Sequence, residues 1–340
     1  MSKQYLSVEK IRPADLMAHK NSALEADRQF LLSNLERWEA VSCSVCSETF
    51  QMDYGTKDEC VFVKCPTCSL VYMSPRPSAE LLKEYYEQSQ NYAFWNKHIF
   101  PVTAEIRYEN IYKPRAQQLV EVCQKYGIPS GGRFLEVGAG HGGFCDAVKE
   151  AGFFSQIVAL EPTAGLAQTC RNKGHTVVES TAEEYTCSER YDVIVAYEVI
   201  EHLHNPTLFI QKVSNLLNPS GLLVLSFPNV DGFDVRVLKT HASCFQYGHL
   251  NYFNSASISR LLFSQGFVAL SITTPGKMDL DLVKKRIEDQ QLERPVPFLS
   301  DFVEKAPEAE LAKFQTMLSQ LGLSSHMVVI ASKQTYGRNI

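Results

Sequence analysis

An open α/β sheet of the Rossmann type, preceded by a small cysteine-ligated ribbon and a helical lid, is predicted by three observations. From residue 133 onward, seven short apolar runs are separated by helical segments, which is how a buried sheet with crossover helices reads. A glycine-rich turn follows the first run, and five of the ten cysteines crowd into residues 43–68. At about 150 residues per domain, a chain of 340 residues has room for roughly two structural units. Its 45% hydrophobic and 21% charged residues exclude a disordered, collagen-like or coiled-coil chain. Thirty-three Lys and Arg against 38 Asp and Glu leave a net charge of -5, which offers no long-range attraction to nucleic acid or anionic membranes. No apolar run approaches the roughly 20 residues of a membrane span. The opening Met1 to Pro13 also lacks the apolar stretch of a secretory signal, so a cytoplasmic protein is expected.

Taken in order, residues 1–40 form an N-terminal helical segment in which Leu24, Leu31, Leu35 and Trp38 share one helix face. Residues 41–76 form the ribbon. Cys43-Ser-Val-Cys46 and Cys65-Pro-Thr-Cys68 are two knuckles with 18 residues between them, the spacing of a four-thiolate zinc site. An all-sulfur tetrahedral shell leaves no position for substrate, so zinc on Cys43, Cys46, Cys65 and Cys68 is structural, with Cys60 a spare. Pro75, Pro77 and Ser78 mark the next boundary, and residues 77–126 read as a helical lid or linker. Eight aromatics fall between Tyr85 and Tyr112, interleaved with Lys97, His98, Arg107, Lys113 and Arg115. That composition suits packing against a core first, with a lid over a sugar or nucleotide as the second reading.

The core occupies residues 127–340. Strands are expected near 133–137, 157–160, 176–178, 192–196, 222–227, 268–273 and 327–332, with helices near 142–151, 163–173, 206–217 and 255–265. An insertion at about 275–323 carries Pro295 and Pro297 and then an amphipathic stretch near 307–321.

The segment Phe134-Leu-Glu-Val-Gly-Ala-Gly-His-Gly-Gly-Phe144 exposes backbone amides at the carboxyl edge of the sheet, where ligands bind. Gly138, Gly140 and Gly143 satisfy G-x-G-x-x-G, a dinucleotide pattern, but Glu136 would repel a pyrophosphate. A carboxylate there suits a ligand with a positive sulfonium and an ammonium, as in S-adenosylmethionine. Glu161, ending Val158-Ala-Leu-Glu-Pro162, is placed to accept hydrogen bonds from ribose hydroxyls.

With the further runs Tyr191 to Pro206, containing Val199-Ile-Glu-His-Leu, and Leu217-Asn-Pro-Ser-Gly-Leu-Leu-Val-Leu225, the chain resembles the class I S-adenosylmethionine-dependent methyltransferases. Val199 to Leu203, with Gly248-His-Leu-Asn-Tyr-Phe-Asn254, is similar to the branch of ubiquinone-type O-methyltransferases and sugar methyltransferases. The ribbon joined to this core resembles proteins of cell-surface polysaccharide synthesis, including deoxysugar C-methyltransferases. Only some 65 residues follow Thr274, short of the further domain of those C-methyltransferases, which favours transfer to oxygen or nitrogen.

The resemblance implies that Glu136 faces the methionyl end, Gly138, Ala139 and Gly140 line the backbone approach, and Glu161 and Pro162 hold the ribose. Thr181 and Ala182 stand in the adenine region, and Tyr197 and Glu198 form the pocket floor. The expected acceptor is a sugar, sugar-nucleotide or related small metabolite. For a hydroxyl acceptor the candidate general base is His249, with His202 the alternative and Tyr247 as an orienting hydroxyl. Two other functions remain open at this stage: a zinc-ribbon RNA methyltransferase and a catalytically inactive cofactor-binding protein. Residues 41–75 carry a net charge of -2, which speaks against RNA. Oligomeric state is not encoded in any of these motifs.

Overall fold

A computed structural model describes residues 8–290 and 297–334. Pro295 and the first seven residues, parts of two expectations above, lie outside them. Thirteen strands are described: β1 (Trp38–Glu39), β2 (Met52–Lys57), β3 (Cys60–Lys64), β4 (Val71–Met73), β5 (Arg76–Pro77), β6 (Arg133–Val137), β7 (Gln156–Leu160), β8 (Thr176–Val178), β9 (Tyr191–Tyr197), β10 (Leu217–Pro228), β11 (Asn251–Tyr252), β12 (Phe267–Thr273) and β13 (His326–Lys333).

Seven of these build one sheet in the order β12-β13-β10-β9-β6-β7-β8. Strands β6, β7, β8, β9 and β10 run parallel, and β13 inserts antiparallel between β10 and β12. Central strands are apolar on both faces because helices cover both: Phe134, Val193, Ile194, Val195 and Leu225 are inaccessible to solvent. The crossover helices begin where the sequence signals them. Asn205 caps Pro206–Leu216 through its side chain, and Asn254 with Ser257 forms a capping box on Ser255–Ser264.

The N-terminal helix stops short of the expected end at residue 40. It spans Ala14–Leu32 and ends there because the Asn34 amide takes the Phe30 carbonyl and the Trp38 indole takes the Leu31 carbonyl. Leu35 is consequently exposed and Trp38 belongs to β1, so the four apolar residues do not share one helix face. Six further helical segments run from Ala79 to Lys125, two of them single π turns at Trp95–Ile99 and Tyr108–Tyr112. Asp27 fastens this lid to the N-terminal helix: its buried carboxylate accepts from the Ser89 hydroxyl at 2.5 Å and from the Gln90 and Asn91 amides at 2.8 and 3.2 Å.

Pro228 to Asn254, where no strand or helix is expected from the sequence, is an ordered connection. It contains the helix Phe233–Leu238 and β11, which pairs antiparallel with β4. The ribbon sheet therefore has the order β11-β4-β3-β2, and the core itself supplies its edge strand. Alternating polar and aromatic residues disguised that strand, because its pairing partner lies some 180 residues earlier in the chain. Between β12 and β13 lie the helices Asp279–Gln290, Pro297–Lys305 and Glu308–Gln320.

Candidate functional site

At the carboxyl edge of β6, β7 and β9 the chain encloses a cavity of about 2360 Å³. Its lining includes Glu136, Gly138, Ala139, Gly140, Glu161, Pro162, Thr181, Ala182, Tyr197, Glu198, His202, Tyr247 and His249, so every candidate outside the cysteine cluster faces one space. Gly138 sits at φ 72°, and a Cβ there would lie 2.5 Å from the Val199 side chain; this approach of β6 to the loop after β9 admits only glycine. The turn is held by a carboxylate: Glu161 accepts from the Gly140 amide at 2.8 Å and from the Thr163 amide at 2.9 Å.

Glu136 is buried, and its only hydrogen bond among the described residues comes from the Cys145 thiol at 2.9 Å. Burial pushes its pKa up to about 8, with the Cys145 bond opposing that rise. A carboxyl in this condition is poised to ionise when a cation arrives. Cys145 was not among the sequence candidates, and no motif distinguishes it from a core cysteine.

Across the cavity, the loop after β9 carries Glu198, Glu201 and His202. Glu198 holds a left-handed backbone at φ 57°, uncommon for a side chain of its size. It accepts from the Ser226 hydroxyl at 2.7 Å and pairs with His326 at 3.1 Å; burial opposes its ionisation, but the His326 charge and hydrogen bond, the Arg115 charge and the Ser226 bond together bring its pKa down. His202 Nδ1 lies 2.6 Å from the Gly248 carbonyl, and the two imidazoles of His202 and His249 meet edge to face at 4.5 Å. His249 is buried, and burial, reinforced by His202, drives its pKa well below the ordinary value; it is a neutral imidazole. Tyr247 donates its hydroxyl to the Leu24 carbonyl at 2.7 Å, so its proton is engaged in anchoring the N-terminal helix.

Sequence reasoning passed over Glu201, although it precedes His202 directly. Its carboxylate is 1% exposed and neither oxygen has a hydrogen-bond partner. Also missed were two cations of the N-terminal segment. Arg12 and Lys20 line the cavity, and neither forms an ion pair among the described residues. Arg107 lies over Trp95 at 5.2 Å and over Phe100 at 5.6 Å, with its guanidinium donating to the Ile11 carbonyl and Thr103 hydroxyl. Isolated basic residues at positions 12 and 20 carry no local pattern that would group them with Arg107, which the sequence already places among the basic residues of the lid.

A second constellation lies in the ribbon. Ligand atoms of Cys43, Cys46, Cys65 and Cys68 all fall within 4.8 Å of one another. The two knuckles repeat one geometry: Ser47 donates its amide to the Cys43 carbonyl at 2.8 Å, and Ser69 to the Cys65 carbonyl at 3.0 Å. Four convergent thiols, with backbone hydrogen bonds from Val45 and Cys46 to Cys43, from Glu48 to Cys46 and from Leu70 to Cys68, fit a soft tetrahedral ion. Cys60 is buried in a separate apolar cluster. The ribbon reaches the cavity through hydrogen bonds: Arg76 donates to the His204 carbonyl at 2.7 Å, Asn251 to the Leu203 carbonyl at 2.8 Å, and Leu250 to the Glu201 carbonyl at 2.8 Å.

Comparison with known proteins places this edge in a family context. Residues 108–272 match the family described as "Methyltransferase domain". The ubiquinone biosynthesis O-methyltransferase of Bradyrhizobium sp. (strain ORS 278) is 34% identical over 106 residues, covering 29% of this chain and 41% of the relative. That of Rhodopseudomonas palustris (strain BisB5) is 30% identical over 106 residues, with 29% and 41% covered. The chain thus spans about two fifths of the length of these curated relatives. Among solved structures, the magnesium protoporphyrin IX methyltransferase of Synechocystis PCC 6803 with bound S-adenosylhomocysteine is similar at 12% identity and a TM-score of 0.48, covering 76% of this chain and 100% of that one. No helix among the described residues is long and apolar enough to cross a membrane.

Proposed function

We propose, from the premise that residues 108–272 form a class I S-adenosylmethionine-dependent methyltransferase domain, that the protein transfers a methyl group to an oxygen of a small, anionic metabolite. The carrying observation is one cavity that joins Glu136, Gly138 to Gly140 and Glu161 on one wall to His202 and His249 on the other.

S-adenosylmethionine supplies a methyl group on a positive sulfonium. Glu161 holds the ribose hydroxyls with carboxylate oxygens already aligned by the Gly140 and Thr163 amides. Glu136 ionises against the positive end of the cofactor, and the buried walls around it keep that attraction strong. Thr181 and Ala182 flank the adenine, and Tyr197 with Glu198 forms the floor. The transfer is an in-line displacement, so alignment and exclusion of water supply much of the rate. The lid, Ala14–Leu32 and Ala79–Lys125, provides that enclosure.

Arg12, Lys20 and Arg107 support an acceptor that carries a phosphate or carboxylate, since they line the cavity without a carboxylate partner among the described residues and a ligand can supply one. A sugar-nucleotide meets this description, and so does a carboxylated phenol. Four thiolates of Cys43, Cys46, Cys65 and Cys68 hold one structural zinc, which keeps the ribbon folded against the acceptor side. The test is incubation with methyl-labelled S-adenosylmethionine and three sets of acceptors, sugar-nucleotides, hydroxybenzoates and RNA, followed by mass spectrometric location of the label. Label on an anionic acceptor is the expected result; label only on RNA, or none on any acceptor, overturns it.

A further inference from the structure

We propose that His326, backed by Glu198, is the side chain that takes the proton from the acceptor hydroxyl during methyl transfer, a role that rests on the methyltransferase reading. The pair is built at one edge of the sheet. Glu198 follows β9, Ser226 lies near the end of β10 and His326 opens β13, and these strands stand side by side in the order β13-β10-β9, next to the strand of Glu136.

Five imidazoles line the cavity: His141, His202, His204, His249 and His326. A general base becomes a cation in the reaction, so what stands behind each ring decides which can serve. His202 rests on the neutral Gly248 carbonyl, and His249 Nε2 faces the Gln246 amide at 2.7 Å; burial lowers the pKa of both. His141 is buried and has the Lys173 ammonium 3.3 Å from Nδ1. His204 meets Glu39 of the ribbon strand β1 at 2.7 Å, but burial and then Arg76 oppose its protonation. At His326 burial is overcome. Glu198 through charge and hydrogen bond, with Asp234 of the helix Phe233–Leu238, holds its pKa above the ordinary value against Arg115 of the lid, and His249 stands beyond them.

The dyad is also fixed in place. Glu198 gives one oxygen to the Ser226 hydroxyl at 2.7 Å and turns the other to His326 Nε2 at 3.1 Å. Its left-handed backbone is a strained conformation of the kind retained where a side chain must be aimed. Nε2 of His326 therefore carries the proton, and Nδ1 keeps a lone pair with no partner among the described residues. The backbone beneath the ring is pinned: His326 pairs with Pro228, the Ser325 amide donates to Asp279 at 2.6 Å, and the Ser325 carbonyl accepts from the Asn229 amide at 2.8 Å. The imidazole itself is open, with 46% of the His326 side chain exposed where it lines the cavity.

As the acceptor oxygen forms its bond to the methyl carbon, its proton passes to His326 Nδ1 and the carbon–sulfur pair returns to sulfur. The products are methylated acceptor, S-adenosylhomocysteine and an imidazolium whose charge Glu198 balances until water takes the proton. His202, with a lone pair on Nε2, orients the acceptor and stays neutral.

The experiment has two readouts. In the zinc-loaded full chain labelled with ¹³C at histidine Cε1, the resonance missing from His326→Gln should titrate above about 6.5, and Glu198→Gln should move it to lower pH. Titration below that value, or no response to Glu198→Gln, overturns the dyad whatever the acceptor. With the acceptor that takes up the methyl label, at saturating S-adenosylmethionine so that Glu136 ionisation drops out, kcat should fall as pH falls through the His326 pKa. His326→Gln should lower kcat at least about a hundredfold and abolish that limb, with S-adenosylhomocysteine affinity within about threefold of wild type. If His326→Gln loses S-adenosylhomocysteine binding as well, Glu198→Gln decides: its limb must move to lower pH, and an unmoved limb overturns the role. Equal turnover by His326→Gln removes His326 as the base while leaving the methyltransferase reading intact; absence of label on every acceptor with the wild type overturns that reading and the role with it.

Discussion

The carbonyl of Gly248 lies 2.6 Å from Nδ1 of His202, tying the loop after β9 to the segment that leads into β11. One hydrogen bond thus orients an imidazole at the cavity and joins the core to the edge of the ribbon. His202→Phe removes the free Nε2 while retaining a planar ring. Turnover should fall at least a hundredfold with S-adenosylhomocysteine affinity within threefold of wild type, measured by steady-state kinetics and calorimetry. Unchanged turnover would make His202 a packing residue.

Cofactor binding should depend on pH through Glu136. Burial raises its pKa to about 8, so at neutral pH the carboxyl carries a proton that the cationic cofactor displaces. Affinity for S-adenosylmethionine should rise as pH increases toward about 8 and level off above it, with proton release detected by calorimetry in buffers of different ionisation enthalpy. The ligand-free protein behaves oppositely. With its folded pKa raised, Glu136 contributes stability that is complete below about 4.3, the unfolded value, and is lost as pH rises through about 8. Glu136→Gln should flatten both profiles.

Cys43→Ser with Cys65→Ser should abolish a zinc content of one equivalent per chain, read by elemental analysis. The ribbon braces Leu203, His204 and Glu201 through Asn251, Arg76 and Leu250, whereas the wall bearing Glu161 has its own supports. Turnover should therefore collapse while S-adenosylhomocysteine affinity changes little. Equal losses of both would show the ribbon stabilising the whole molecule.

Asp27→Ala leaves the Ser89 hydroxyl and the Gln90 and Asn91 amides without their shared acceptor. The expected cost is about 3 kcal/mol, observed as a lower midpoint in denaturant, together with increased protease cleavage between residues 89 and 107. Native stability in this variant would remove Asp27 as the fastening of the lid.

Much of this fold was legible because its strands are short apolar runs and its turns are glycine-rich. Each of the seven sheet strands lies within a residue or two of its expected place apart from β10, which starts five residues early. Glu136 and Glu161 could be named because motif and strand end coincide in sequence. The rest depends on contacts between distant segments. Strand β11 is only two residues long and exists because β4 offers an edge. Glu201 looks like any helix-start acid until both its oxygens prove to be buried without partners. Arg12, Lys20 and Arg107 converge only when the lid folds over the sheet. Trp38 follows the helical spacing yet pairs in a strand, because its indole closes the helix it was expected to continue.

Equilibrium titration with S-adenosylhomocysteine tests the cofactor site most directly. The wild type should bind one equivalent per chain, Glu161→Ala should lose at least tenfold in affinity, and NAD should produce no saturable heat. Saturable NAD binding with no response to S-adenosylhomocysteine would contradict the assignment of the Glu136 and Glu161 wall to a sulfonium cofactor.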